Sequence, residues 1–158
     1  MIDRFILPGA RVALIGSARG IGFSSALLLK EAGAKLVLID RDAEGLAQAA
    51  EALGSDCVLA SIQMDLADAE DIREVFSKIA ARGELDASIN CLGLNGHVGP
   101  LESTSLDSFD TVFALNSRSP FLAMQEAVAI IHRNGAKGSI VNLSSIAGLV
   151  SSSRLGTQ

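Results

Sequence analysis

The stretch VALIGSARGIG, residues 12–22, decides how the rest of this chain is read. Val12–Ile15 is an unbroken apolar run, the pattern of a strand buried on both faces and therefore of a parallel sheet. It opens at once into Gly16-Ser17-Ala18-Arg19-Gly20-Ile21-Gly22, and then into Phe23–Ala32, read as a helix. A glycine-rich turn in that position lets backbone approach a pyrophosphate and aims the unpaired N–H groups and positive end of the helix at phosphate charge. The spacing is G-x-x-x-G-x-G and not the strict G-x-G-x-x-G fingerprint, because position 18 is Ala and position 25 is Ser. Read alone, the same glycines serve equally well as a tight turn.

Working outward, the same grammar repeats. Apolar runs recur at Leu36–Ile39, Cys57–Ile62, Ala87–Ile89 and Ile140–Leu143, each a candidate strand buried on both faces. Between them lie helical stripes: Leu46, Ala49, Ala50 and Leu53, then Ile72, Val75, Phe76 and Ile79. Gly33, Gly54, Gly83 and Gly135 follow the proposed helices, where a left-handed cap wants a residue without Cβ. Strand–helix–strand units joined by right-handed crossovers build an α/β, Rossmann-type doubly wound sheet. No linker or low-complexity tract divides the chain, so residues 1–158 are predicted to be a single dinucleotide-binding domain.

Composition narrows the partners. Thirteen Lys and Arg against 18 Asp and Glu leave a net charge of −5, which offers no basic field to nucleic acid. Cys57 and Cys91 sit in apolar runs, which suits buried, reduced thiols in the cytoplasm better than a disulfide. Met1–Gly9 is too short an apolar run for a signal peptide, and no stretch approaches the roughly 18 apolar residues of a membrane span. A soluble cytoplasmic protein with a small-molecule partner, and without a metal site or membrane partner, is the expectation.

In such sheets ligands lie beyond the carboxyl ends of the strands. Asp40 closes the second strand, where a carboxylate can accept hydrogen bonds from ribose hydroxyls and repel a 2′-phosphate, favouring NAD over NADP. Alternatively Asp40 or Asp42 caps the next helix, and Arg19 and Arg41 could still offer charge to a phosphate. Asp65 reads as the rim of an adenine pocket or as a turn residue. The fourth strand runs into Asn90-Cys91-Leu92-Gly93 and a glycine-rich loop bearing His97, read as a solvent-exposed histidine without a fixed partner. Asn116 falls at i+7 on the stripe of Phe109, Val112 and Phe113, which would turn its amide toward the core, for a structural or a functional role. Pro120 should interrupt that helix and free backbone carbonyls. Ser144 and Ser145 end the fifth strand as hydrogen-bond donors, since neither has the setting of a nucleophile.

The glycine turn, Asp40, Asp65-Leu66, Asn90-Cys91-Leu92-Gly93, Asn116 and Ile140-Val141-Asn142-Leu143-Ser144-Ser145 stand in an order that resembles the classical short-chain dehydrogenases/reductases. The resemblance runs from about Val12 onward. It implies the strand order 3-2-1-4-5 for the covered part of the sheet. It also implies an NAD-dependent oxidoreductase passing a hydride between NAD(H) and a secondary alcohol or ketone. On it, Gly16, Ser17, Arg19, Gly20, Ile21, Gly22, Asp40, Arg41, Asp65, Leu66, Asn90 and Gly93 belong to the cofactor site. Ser145 becomes the catalytic serine that polarises the substrate carbonyl, and Asn116 the residue that holds a proton-relay water. Three positions depart from the family pattern: Ile15 stands where Thr is usual, and Cys91-Leu92 replace Asn-Ala.

The family's general acid/base is the Tyr of a Tyr-x-x-x-Lys motif downstream of that serine, and this chain contains no Tyr. The 158 residues are therefore expected to be an incomplete and inactive piece of a longer chain, a homo-oligomer (dimer or tetramer) when complete. Two other readings fit parts of the pattern. One is a non-catalytic dinucleotide-binding module. The other is an S-adenosylmethionine-dependent methyltransferase, which leaves Asn116 and the serine pair unexplained.

Overall fold

The computed structural model describes residues 7–133, 135 and 137–149. Most of the stretch weighed as a signal peptide, and the tail expected to lead toward a further helix, lie outside these residues. Five segments pair in parallel: β1 (Arg11–Ile15), β2 (Lys35–Asp40), β3 (Val58–Gln63), β4 (Ala87–Asn90) and β5 (Ser139–Asn142). Their order is β3-β2-β1-β4-β5, as the family resemblance implied. Ile15 pairs with both Ile39 and Asn90, and Asn90 pairs with Asn142, so the carboxyl ends finish along one edge of the sheet.

The helices α1 (Gly20–Glu31), α2 (Ala43–Leu53), α3 (Ala69–Ala80), α4 (Leu106–Phe113) and α5 (Ser119–Arg133) complete the crossovers. Two cores form, one on each face. Val12, Leu14, Leu36 and Leu38 pack with Leu46, Ala49 and Leu53 of α2, while Ala13, Ile15, Val37 and Ile39 pack with Val75 and Phe76 of α3 and Ala127 of α5. The central runs are unbroken because β1 and β2 are buried on both faces. Among the described residues, no helix is long and apolar enough to cross a membrane.

Two expectations fail for the same reason. Cys57–Ile62 and Ile140–Leu143 read as fully buried strands, yet β3 and β5 are the two edges of the sheet. In β3 only Ile62 is buried, and Val141 in β5 is 47% exposed. The exposed positions of these strands include polar residues, Ser61 and Gln63 in β3 and Ser139 and Asn142 in β5, whereas the buried central strands β1 and β2 have no exposed position.

The stripe through Asn116 fails too. Only Val112 of α4 is buried; Phe109 and Phe113 stack on each other at 5.7 Å and are 47% and 57% exposed. Packing onto α3, β4 and β5 is supplied instead by α5. One turn of π-helix, Ala114–Arg118, separates the two helices immediately before Pro120, where the missing N–H was expected to disturb the ladder.

Ser17 fastens the first turn to the sheet. Its side chain is fully buried, accepts the Ile39 N–H at 3.0 Å and donates to the Ile39 carbonyl at 3.3 Å. Ser17→Ala removes both bonds and should lower stability by about 1–3 kcal/mol, read as a lower urea midpoint with an unchanged m-value.

Candidate functional site

The turn after β1 is tight because two of its glycines are in backbone contact. A Cβ on Gly22 would lie 1.8 Å from the Gly16 carbonyl oxygen, and one on Gly16 would lie 3.0 Å from the Cys91 carbonyl. Gly20 and Gly93 are the opposite case, with open space where a side chain would stand. The first turn of α1 has no side-chain cap; Arg19 occupies the cap position without capping. By contrast Asp42, Asp68 and Ser105 each cap their own helix. The start of α1 therefore keeps its backbone donors for something other than the protein.

Beside it lies a cleft of about 240 Å³ whose walls include Gly16, Arg19, Asp40, Arg41, Asp65, Leu66 and Gly93. Asp40 is half-buried, accepting from the Ala18 N–H at 3.0 Å through Oδ2 and from the Asp42 N–H at 3.1 Å through Oδ1. Capping of α2 is done by Asp42, which accepts from Gly45 at 3.0 Å. Asp40 thus ties the glycine turn to the end of β2 while each oxygen keeps acceptor capacity toward the cleft. Arg19 and Arg41 are exposed on the walls, and neither forms an ion pair among the described residues. Asp65 is exposed and also serves its own turn, accepting from Ala67 at 3.1 Å; Leu66 is buried.

Two residues expected at the cofactor do not present side chains to the cleft. Ser17 is committed to Ile39. Asn90 is 2% exposed and bonds across the ladder to the Asn142 Oδ1, while Asn142 reaches the Met124 sulfur at 2.9 Å. Both point into the structure because alternation along the strand, or the twist of the turn, turns them from the rim.

A second cleft, of about 560 Å³, continues from the first over the shared segment Cys91–Leu94. It brings together Ile21, Asn116 and Ser145, which come from three separate parts of the chain. The Ser145 oxygen accepts the Ala147 N–H at 3.2 Å, which leaves its own proton to donate. Asn116 is exposed, contrary to its expected place in the core. Its amide clamps Leu94 at both ends: Oδ1 accepts the Leu94 N–H and Nδ2 donates to the Leu94 carbonyl, each at 2.9 Å. The bend after Phe113 is what presents it to the loop.

His97 was expected to be exposed and partnerless, but it is half-buried with Nε2 2.9 Å from the Ser103 oxygen. Ser103 donates its proton to the Pro100 carbonyl at 2.8 Å, so the imidazole nitrogen donates to Ser103. The pair lies off both clefts and stiffens the loop. Sequence reasoning missed Met64 on the wall of the first cleft; a position just past a strand end is the one signal it carries. Burial pushes the Cys91 thiol above its ordinary value. It does the same for Cys57, against the pull of Lys30 and Lys35.

Residues 16–156 match a family model described as enoyl-(acyl carrier protein) reductase, one of the models of the short-chain dehydrogenase/reductase family. Levodione reductase of Leifsonia aquatica is 33% identical over 144 residues, covering 88% of this chain and 54% of that protein. (+)-Borneol dehydrogenase 2 of Salvia officinalis is 36% identical over 141 residues, 87% of this chain and 49% of that protein. A short chain dehydrogenase from Salmonella enterica serovar Typhi CT18 superposes with TM-score 0.87 at 26% identity, over 97% of this chain and 65% of that one. NAD+-bound xylitol dehydrogenase shares the fold, with TM-score 0.86 at 24% identity over 95% and 58% of the two chains. The chain spans about half the length of the curated relatives it matches.

Two outcomes follow from this geometry. Asn116→Ala should speed amide exchange at Leu94 by about tenfold, through loss of the bond to Oδ1, with little change at β1 or β2 in the same hydrogen-exchange experiment. Cys91 should alkylate with iodoacetamide more slowly than a free thiol at pH 8 and accelerate as pH rises, because its raised pKa keeps it protonated at neutral pH.

Proposed function

The chain belongs to the short-chain dehydrogenase/reductase family, and from that membership we propose that it is an NAD-dependent oxidoreductase acting between a secondary alcohol and a ketone. The observation that carries this reading is the uncapped start of α1 opening on a cleft whose wall bears the Asp40 carboxylate. The residues fit the cofactor. Open space at Gly20 and Gly93 admits a ligand against the backbone, and the first-turn N–H groups suit a diphosphate. NAD, when bound, supplies the nicotinamide carbon that takes up or releases the hydride.

The chain's own residues bind and orient. Gly16, Gly20 and Gly22, with Arg19 and Ile21 beside them, hold the diphosphate, and Ser17 acts through the turn it fastens. Asp40 accepts from the adenosine ribose hydroxyls, with Arg41, Asp65 and Leu66 around the adenine end. Gly93 keeps the floor open, and Asn90 supports that floor from beneath. Ser145 donates its free proton to the substrate oxygen, and Asn116 fixes the loop opposite while serving the family's proton-relay position. The names of the relatives, dehydrogenases and reductases, support the same chemistry. Without Tyr among its 158 residues the chain alone lacks the proton donor, which on this reading leaves it able to bind but not to turn over. The two cysteines, free of a disulfide, suit a reducing compartment and support a cytoplasmic location.

NADH should bind the chain at least about tenfold tighter than NADPH, measured by titration calorimetry, because an anion at Asp40 opposes a 2′-phosphate in a partly desolvated cleft. Asp40→Asn keeps an acceptor for Ala18 but removes the charge, so the preference should shrink to near parity. Equal affinities in the unmodified chain would remove the NAD assignment, and no dinucleotide binding at all would remove the oxidoreductase reading. The same chain should show no alcohol-dependent rise in absorbance at the NADH band.

A further inference from the structure

The two joined clefts differ in charge. The first carries Arg19, Asp40, Arg41 and Asp65 on its walls; the second carries no charged side chain among the described residues. Its polar groups are neutral, the amide of Asn116 and the hydroxyls of Ser144 and Ser145 among them. Its apolar wall comes from Ile21, 65% exposed at the start of α1, with Leu94 and Leu143 across the opening. At about 560 Å³ it falls within the roughly 300–1,000 Å³ of small-molecule sites.

We propose that the second cleft takes an uncharged, mainly apolar alcohol or ketone, and selects against substrates bearing a carboxylate or phosphate. This rests on the oxidoreductase reading above and narrows its substrate class. A carboxylate entering this cleft gives up hydration and meets no Lys or Arg among the described residues to replace it, which is a net loss. A neutral ketone gives up only the hydration of one carbonyl oxygen, and the Ser145 hydroxyl is free to restore that hydrogen bond. The remaining carbons cover Ile21, Leu94 and Leu143, apolar surface that water otherwise wets. Asn116 adds no charge: one of its two amide N–H groups is engaged by the Leu94 carbonyl, and the other is a neutral donor. The cleft thus offers neutral hydrogen-bonding groups at its polar end and hydrocarbon from Ile21, Leu94 and Leu143.

The test compares cyclohexanone with 4-oxocyclohexanecarboxylate, the same ring with one added charge. Each is titrated into the 15N-labelled chain with and without saturating NAD+, following the amides of Leu94, Ser145 and Ala147. Cyclohexanone should shift these amides, and the carboxylate should bind at least about tenfold more weakly. Ala147→Lys places a cation on the wall of the cleft, in the turn Ile146–Gly148, and should close that gap by strengthening the carboxylate alone. Equal or tighter binding of the carboxylate to the unmodified chain overturns the inference, as does a cyclohexanone titration that leaves these amides unmoved. Cyclohexanone shifts that persist while NAD+ fails to move Gly16–Gly22 would uphold the neutral preference and remove the oxidoreductase reading instead.

Discussion

The contact between Gly22 and the Gly16 carbonyl sets the geometry of everything around the clefts. With only 1.8 Å available where a Cβ would stand, the turn closes on itself and brings the first residues of α1 back over the end of β1. The end of β2 then locks that turn from the side. The Ile39 carbonyl accepts from Gly16 N–H at 2.8 Å, Ser17 bridges the same residue, and Asp40 holds Ala18. A helix start fixed at so many points presents its N–H groups without paying an ordering cost when an anion arrives. The turn is a binding device because it is first a rigid joint.

The second organising feature is the strand order. Between β1 and β4 the chain changes direction across the sheet, so the loops after these strands diverge onto opposite faces and leave a crevice. Cys91 and its neighbours floor that crevice, pressed against Gly16 at one end and clamped to Asn116 at the other. One short segment therefore borders both clefts, the charged one toward β2 and β3 and the neutral one toward β5. Movement of Leu94 would alter both, which is why its two bonds to a single side chain matter.

The alternation of strands and helices was legible because each central run is buried on both faces and each helix carries a stripe. Caps were legible as well: Gly33, Gly54, Gly83 and Gly135 all take positive φ. What failed were properties that a local pattern does not encode. Edge and centre of a sheet differ by a neighbour that is remote in sequence, so the apolar runs of β3 and β5 read as buried although the implied strand order places both at the edges. Asn116 lay on a plausible stripe, but the stripe was continued through a helix whose phase is broken. Asn90 and Ser17 sit among residues that face the cleft, and only the direction of the side chain separates them. His97 found Ser103 through the fold of a loop, six positions on, where no periodicity applies.

The bend that misled the reading of Asn116 also ties the clefts together. Pro120 has no N–H to give the Asn116 carbonyl, so the ladder widens by one residue, and the Ser119 N–H reaches back to the Ala114 carbonyl. The buried Ser119 hydroxyl shares its one proton between that same carbonyl, at 2.8 Å, and the Leu66 carbonyl. Leu66 walls the first cleft, whereas Asn116, three residues before Ser119, fixes Leu94 between the two. A regular helix through 114–118 would rotate Asn116 away from Leu94 and leave Ser119 out of phase with Leu66. The π-turn is thus the local distortion that lets one helix brace both ends of the groove, and a proline next to a buried serine is its sequence signature.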